Sequence, residues 1–138
     1  MFHTEKTPIM NIYGIVHVLP KILYSEGLHM ENFKSKFVTA EAAVAAAVKD
    51  GDWVDYGFGG GYPELLDKAL AARKGHLKDV KVRGGLVIRP RIEVVEADPE
   101  QESFSYYSWH IGDYERKLQT RGLVKFMPVV LRLLPTLY

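Results

Sequence analysis

The chain has 138 residues, 18 basic against 17 acidic for a net charge of +1, and is 47% hydrophobic and 25% charged. That is an ordinary composition for a soluble globular chain, long enough for one domain or part of one, and the even charge balance argues against a nucleic-acid partner. There are no cysteines, which excludes disulfides, thiolate zinc sites and cysteine nucleophiles and suits the cytoplasm.

Residues 1–29 show no sustained period and are broken by Pro8, Gly14, Pro20 and Gly27. Their most apolar stretch, residues 9–19, is interrupted by Asn11, Gly14 and His17. It is shorter than the roughly 20 residues that cross a bilayer and lacks a small-residue cleavage site, so no membrane segment and no secretory signal are expected. These residues form either an arm that packs on the domain or an extension upstream of a start at Met30. A sharper pattern runs from there, and residues 30–138 read as one domain, in part.

From Met30 the elements alternate. Thr39 is placed to cap a helix over residues 40–49, with Glu41 in its first turn and Val44 and Val48 on one face. Gly51 suits the position past its end. Residues 53–56 (Trp-Val-Asp-Tyr) read as a strand. The cluster Gly57-Phe58-Gly59-Gly60-Gly61 follows, and Tyr62-Pro63-Glu64 opens a second helix, proline being tolerated in a first turn. Leu65, Leu66, Ala69 and Leu70 supply its apolar stripe, Arg73 and Lys74 its basic end, and Gly75 its stop. Residues 81–88 are a second strand candidate despite Gly84-Gly85, and residues 92–95 a third. Residues 104–109 are aromatic and extended, and residues 113–120 a short polar helix ended near Gly122. Residues 123–138 are apolar, with Pro128 and Pro135. This alternation predicts an α/β domain with a largely parallel sheet flanked by helices.

The glycine cluster between a strand and a helix suits an anion, because backbone without side chains admits close approach and N–H groups at a helix start attract negative charge. A phosphate, a carboxylate or a thioester oxyanion would fit, and so would a tight turn with no ligand. A dinucleotide fingerprint fails at Tyr62, where glycine is required, and no Gly-Lys-Ser/Thr follows to make a Walker loop. Glu64 reads as a first-turn carboxylate complementing the helix dipole rather than as a nucleophile. The histidines at 3, 17, 29, 76 and 110 lack metal-ligand spacing, and no metal is expected. Arg83, Arg89 and Arg91 suit phosphate, but a solvated strand edge accounts for them as well. Phe104, Tyr106, Tyr107 and Trp109 suit a core or an interface.

Three segments carry a family resemblance. Lys49-Asp50-Gly51-Asp52-Trp53-Val54-Asp55-Tyr56-Gly57 with the glycine loop, Tyr107-Ser108-Trp109-His110-Ile111-Gly112 leading into Glu115-Arg116-Lys117, and Phe126-Met127-Pro128 running to Leu134-Pro135 fall in one order over residues 30–138. They resemble the N-terminal part of coenzyme A transferases of the butyryl-CoA:acetate and 4-hydroxybutyrate type. The resemblance implies two similar α/β domains with the active site between them. A glutamate of the second domain would become a glutamyl-CoA thioester during transfer from acyl-CoA to a small carboxylate. It also implies that this chain is an incomplete first domain without the nucleophile, and that Gly57, Phe58, Gly59, Gly60, Gly61 and Tyr62 lie beside the reacting acyl group as an anion or oxyanion site. Trp109 and His110 then become active-site neighbours. Coenzyme A enters as substrate, with no tightly bound cofactor. An incomplete domain exposes apolar surface, so a homo-oligomer or a completing second chain is expected. The alternatives are a non-catalytic remnant and a small α/β anion-binding module.

Overall fold

The structure, a computed structural model, describes residues 10–11 and 36–136. The break points Pro8, Gly14, Pro20 and Gly27 and the onset of pattern at Met30 lie outside the described residues. Within them, five strands run in parallel, in the order β1 (Met10–Asn11), β2 (Trp53–Phe58), β3 (Val80–Gly85), β4 (Phe104–Ser108) and β5 (Val124–Phe126). The helices are α1 (Ala40–Ala47), α2 (Glu64–Ala71), α3 (Glu93–Ala97) and α4 (Asp113–Thr120), with 3₁₀ turns at Gly59–Gly61 and Leu131–Thr136.

Sequential parallel strands joined by right-handed crossovers put their helices on one side. The core follows from this. Val54, Val82, Tyr106 and Val124 form an in-register row across β2 to β5, and all four are buried in one cluster with Val44 of α1, Val48 just past its end, Ala69 and Leu70 of α2, Val94 of α3 and Leu118 of α4. The intervening row, Asp55, Arg83, Tyr107 and Lys125, therefore lies on the opposite face.

Local chemistry accounts for most boundaries. Thr39 Oγ1 accepts the N–H of Ala42 at 3.1 Å and starts α1, which ends at Ala47 rather than residue 49. Gly51 and Gly75 take φ of +81° and +80°, the left-handed turns that glycine permits. In α2, Leu65 points to solvent, and Asp67 replaces it on the buried side next to Ala69 and Leu70. The strand expected over residues 81–88 stops at Gly85, because Leu86 takes a φ of +48° that no strand continues.

The strand expected at residues 92–95 is instead helix α3. Its β-branched run suggests a strand, but the Asp67 carboxylate, 26 and 27 positions away, accepts the N–H groups of Glu93 at 2.6 Å and Val94 at 3.1 Å. That satisfies the helix start from outside, so tertiary contact overrides propensity. The same carboxylate accepts the hydroxyls of Tyr56, at 2.9 Å, and Tyr62. Asp67 is fully buried. Burial pushes its carboxyl above the usual range and outweighs the hydrogen bonds from Tyr62, Glu93, Val94 and Tyr56 that pull the other way.

This raised value fixes a sign. A carboxyl held more protonated when folded contributes stability that is complete below the unfolded value near 4 and is lost as pH rises through the folded one. Urea unfolding of the wild type and Asp67→Asn over that window should show the wild type losing stability relative to the variant as pH rises. A difference independent of pH would contradict the assignment.

Candidate active site

Ligands of parallel α/β sheets bind beyond the carboxyl ends of the strands. Here that edge carries the loops that leave β2, β3 and β4. The glycine loop leaves β2 through a bulge: Asp55 pairs with Arg83, but Phe58 pairs with Gly85, so β2 carries one extra residue. Gly57 has φ of +73°, and its N–H is taken by Asp55 Oδ1 at 2.8 Å. The extra residue inverts the alternation. Phe58 would otherwise follow Val54 and Tyr56 into the core; it emerges on the opposite face and remains 44% exposed.

On that face Phe58 meets the residues after β4. Its ring stacks on Trp109 with centroids 4.8 Å apart and planes 20° from parallel, and it stands edge-on to His110 at 5.8 Å. Gly85 makes the indole's position possible, since a Cβ there would lie 2.9 Å from Trp109 Cε2. The backbone fixes the segment: Trp109 N–H donates to Gly84 O at 3.2 Å, and Leu86 N–H to His110 O at 2.6 Å.

Beyond Phe58 the loop is open. A Cβ at Gly59 or at Gly60 would find no atom of the described residues within 4 Å, and Gly59 takes φ of +56°. The loop's other end is closed, because Tyr62 is buried with its hydroxyl on Asp67. The structure thus brings Phe58, Trp109 and His110 together beside the glycines, with Tyr62 as the anchor beneath.

A second buried carboxylate orders the neighbouring loops. Glu115, fully buried, accepts Ser108 Oγ at 2.6 Å, Tyr106 Oη at 3.1 Å, Gly112 N–H at 2.9 Å and Val87 N–H at 3.1 Å. Its bond to Gly112 is the return half of a capping box at the start of α4. Between these loops opens a groove of about 610 Å³, lined by apolar residues such as Leu86, Ile88 and Ile111 together with Arg89, Asp113 and Arg116.

The other candidates are placed differently. Glu64 is exposed and paired with Lys68 at 2.9 Å, which lowers its carboxyl below the usual value. Arg83 is no solvated edge residue. It is buried, with Nε 2.6 Å from Asp55 Oδ2. Arg91 is exposed and pairs with Glu93. Phe104 and Tyr106 enter the core, whereas Tyr107 packs on Trp53 on the opposite face at 4.9 Å. Among the described residues, no group of three or more His, Cys, Asp or Glu is arranged to hold a metal ion, and no helix is long and apolar enough to cross a membrane. Sequence reasoning passed over Asp67 and Glu115. The available signal was a carboxylate on a helix's apolar side, Asp67 three positions before Leu70 and Glu115 three before Leu118.

Residues 25–138 match the model of the acetyl-CoA hydrolase/transferase N-terminal domain. The chain belongs to this family. It is 39% identical over 108 residues to a butyryl-CoA:acetate CoA-transferase of Anaerostipes caccae, covering 78% of the chain and 24% of that protein. It is 43% identical over 94 residues to a probable butyrate:acetyl-CoA coenzyme A-transferase of Syntrophomonas wolfei, covering 68% of the chain and 21% of that protein. The chain therefore spans about a quarter of the length of these relatives. RipA from Yersinia pestis shares the fold at a TM-score of 0.65 and 22% identity, over 80% of this chain and 28% of that one.

The Gly85 contact yields a direct check. Gly85→Ala pushes a methyl group into an indole that Phe58 holds from another side, and it should cost about 1–3 kcal/mol and shift tryptophan emission in urea unfolding followed by fluorescence. Unchanged stability and emission would contradict the packing described.

Proposed function

We propose that this chain is the N-terminal portion of an acyl-CoA:carboxylate CoA-transferase of the acetate, butyrate or 4-hydroxybutyrate class, acting in the cytoplasm. Acyl-CoA and a small carboxylate are its substrates, and it uses no tightly bound cofactor. The glutamate nucleophile comes from polypeptide outside this chain, either a further domain or a second chain. The observation that carries the reading is the open backbone at Gly59 and Gly60, at the carboxyl end of β2 and beside the half-exposed Phe58 stacked on Trp109.

The chemistry follows from that geometry. A carboxylate attacks the thioester carbon, and the carbonyl oxygen gains negative charge. Backbone N–H groups about 3 Å from that oxygen stabilise it without reorganising. The CoA thiolate leaves, then adds to the glutamyl carbonyl and expels the donor acid, leaving a glutamyl-CoA thioester. The acceptor carboxylate reverses these steps and departs as the new acyl-CoA. Gly57 N–H is engaged by Asp55 and Tyr62 by Asp67, so in this reading these two shape the loop while Gly59 to Gly61 face the acyl group.

A CoA-exchange assay tests this. The chain is given butyryl-CoA and labelled acetate, and acetyl-CoA is followed. No exchange is expected from the chain alone, with exchange restored when the remainder of a transferase is supplied. Gly60→Val, whose side chain enters open space, should fold normally yet lower the restored rate by about 10²-fold, and Glu64→Gln should leave it unchanged. Exchange by the chain alone would overturn the placement of the nucleophile outside it.

A further inference from the structure

The aromatic pair beside the loop has one feature that packing does not explain. Trp109 Nε1 is buried and has no hydrogen-bond acceptor among the described residues. A buried indole N–H normally finds a partner, and leaving a donor unmatched is unfavourable. A phenylalanine would stack on Phe58 equally well without that cost. The indole is also held firmly, with its ring over Gly85, the Trp109 backbone N–H bonded to Gly84 O and the next residue, His110, bonded through its carbonyl to Leu86 N–H. Its cover is not. Phe58 is half exposed, and its described ring contacts are with Trp109 and His110 alone. It stands between Gly57 and Gly59, both with positive φ.

We propose that Trp109 is a ligand-binding residue whose indole N–H donates to an oxygen of the acyl group, and that the ligand's alkyl chain takes the place of Phe58 on the indole face. The proposal rests on the reading of the glycine loop as the acyl-CoA site and assigns that site its apolar wall. A short acyl group has what the slot requires: an oxygen acceptor for the orphaned donor, and a few methylene groups to replace the Phe58 ring on the indole face. Displacement costs the aromatic stacking, and the new hydrogen bond and alkyl contact offset it. Because the alkyl chain must occupy the space Phe58 leaves, Phe58 also sets the chain length accepted.

The indole resonances in a ¹H–¹⁵N spectrum of the chain test this. There are two tryptophans. Trp53, packed on Tyr107 away from the loop, serves as the internal reference, and Trp53→Phe assigns the pair. On titration with butyryl-CoA, the Trp109 indole signal should move and saturate together with the backbone amides of Gly59 and Gly60. Coenzyme A without an acyl group should leave the indole unmoved. Trp109→Phe keeps the stack and removes the donor; it should bind butyryl-CoA about fivefold more weakly, as the loss of one hydrogen bond predicts. Phe58→Ala should speed exchange of the Trp109 indole proton with water in the absence of ligand. If the loop amides move and the indole does not, this proposal is overturned and the loop reading stands. If neither moves, both fall. If coenzyme A alone shifts the indole as far as butyryl-CoA does, the assignment to the acyl group is overturned.

Discussion

Two buried carboxylates hold the carboxyl end of this sheet in place, and the candidate site depends on both. Asp67 gathers Tyr56 from β2, Tyr62 from the end of the glycine loop and the first N–H groups of α3. Glu115 gathers Tyr106 and Ser108 from β4, Val87 from the loop after β3 and Gly112 at the start of α4. Each carboxylate is fully buried and accepts four donors. Such a group is tolerated in the interior only when its acceptor capacity is filled, and losing it strands every donor at once. Together the two lock three consecutive loops to the strands below them. Gly84 belongs to this arrangement, since a Cβ there would come within 2.7 Å of the Tyr106 hydroxyl that reaches Glu115.

A rigid edge alone presents no site. The bulge at Gly57 does the rest, by shifting β2 one residue against β3 just before the strand ends. Without it, Phe58 would continue the core row and the glycines would leave the sheet at a different height. With it, Phe58 lies out over Trp109, and Gly59 and Gly60 present bare backbone. The bulge, the open glycines and the left-handed Leu86 all fall within one end of the sheet. Two further left-handed residues, Asp79 and Gln101, lie at the opposite end, before β3 and β4.

Much of this was legible locally. The Thr39 cap, the glycine turns at 51 and 75 and the strand–loop–helix order all depend on residues within a few positions of one another, although both helices end a few residues before those glycines and Pro63 precedes α2 instead of lying in its first turn. What was not legible depends on distant partners. α3 reads as a strand because its cap comes from Asp67, far away in sequence. Arg83 reads as a surface cation because its neighbour Asp55 is 28 residues earlier and meets it only through strand pairing. The glycine loop was visible as a candidate, but the face on which Phe58 emerges depends on register with β3, which no single strand encodes.

The chain belongs to the acetyl-CoA hydrolase/transferase N-terminal domain family, and its open glycine backbone lies at the carboxyl end of β2. The chain corresponds to about a quarter of the length of its relatives, so it is the loop-bearing part of the account that can be tested on the chain itself. The most direct measurement is an experimental structure with butyryl-CoA bound. The account predicts the thioester oxygen about 3 Å from backbone nitrogens of the Gly59–Gly61 turn, at the carboxyl end of β2. A thioester bound elsewhere on the chain, with that turn left untouched, would contradict it.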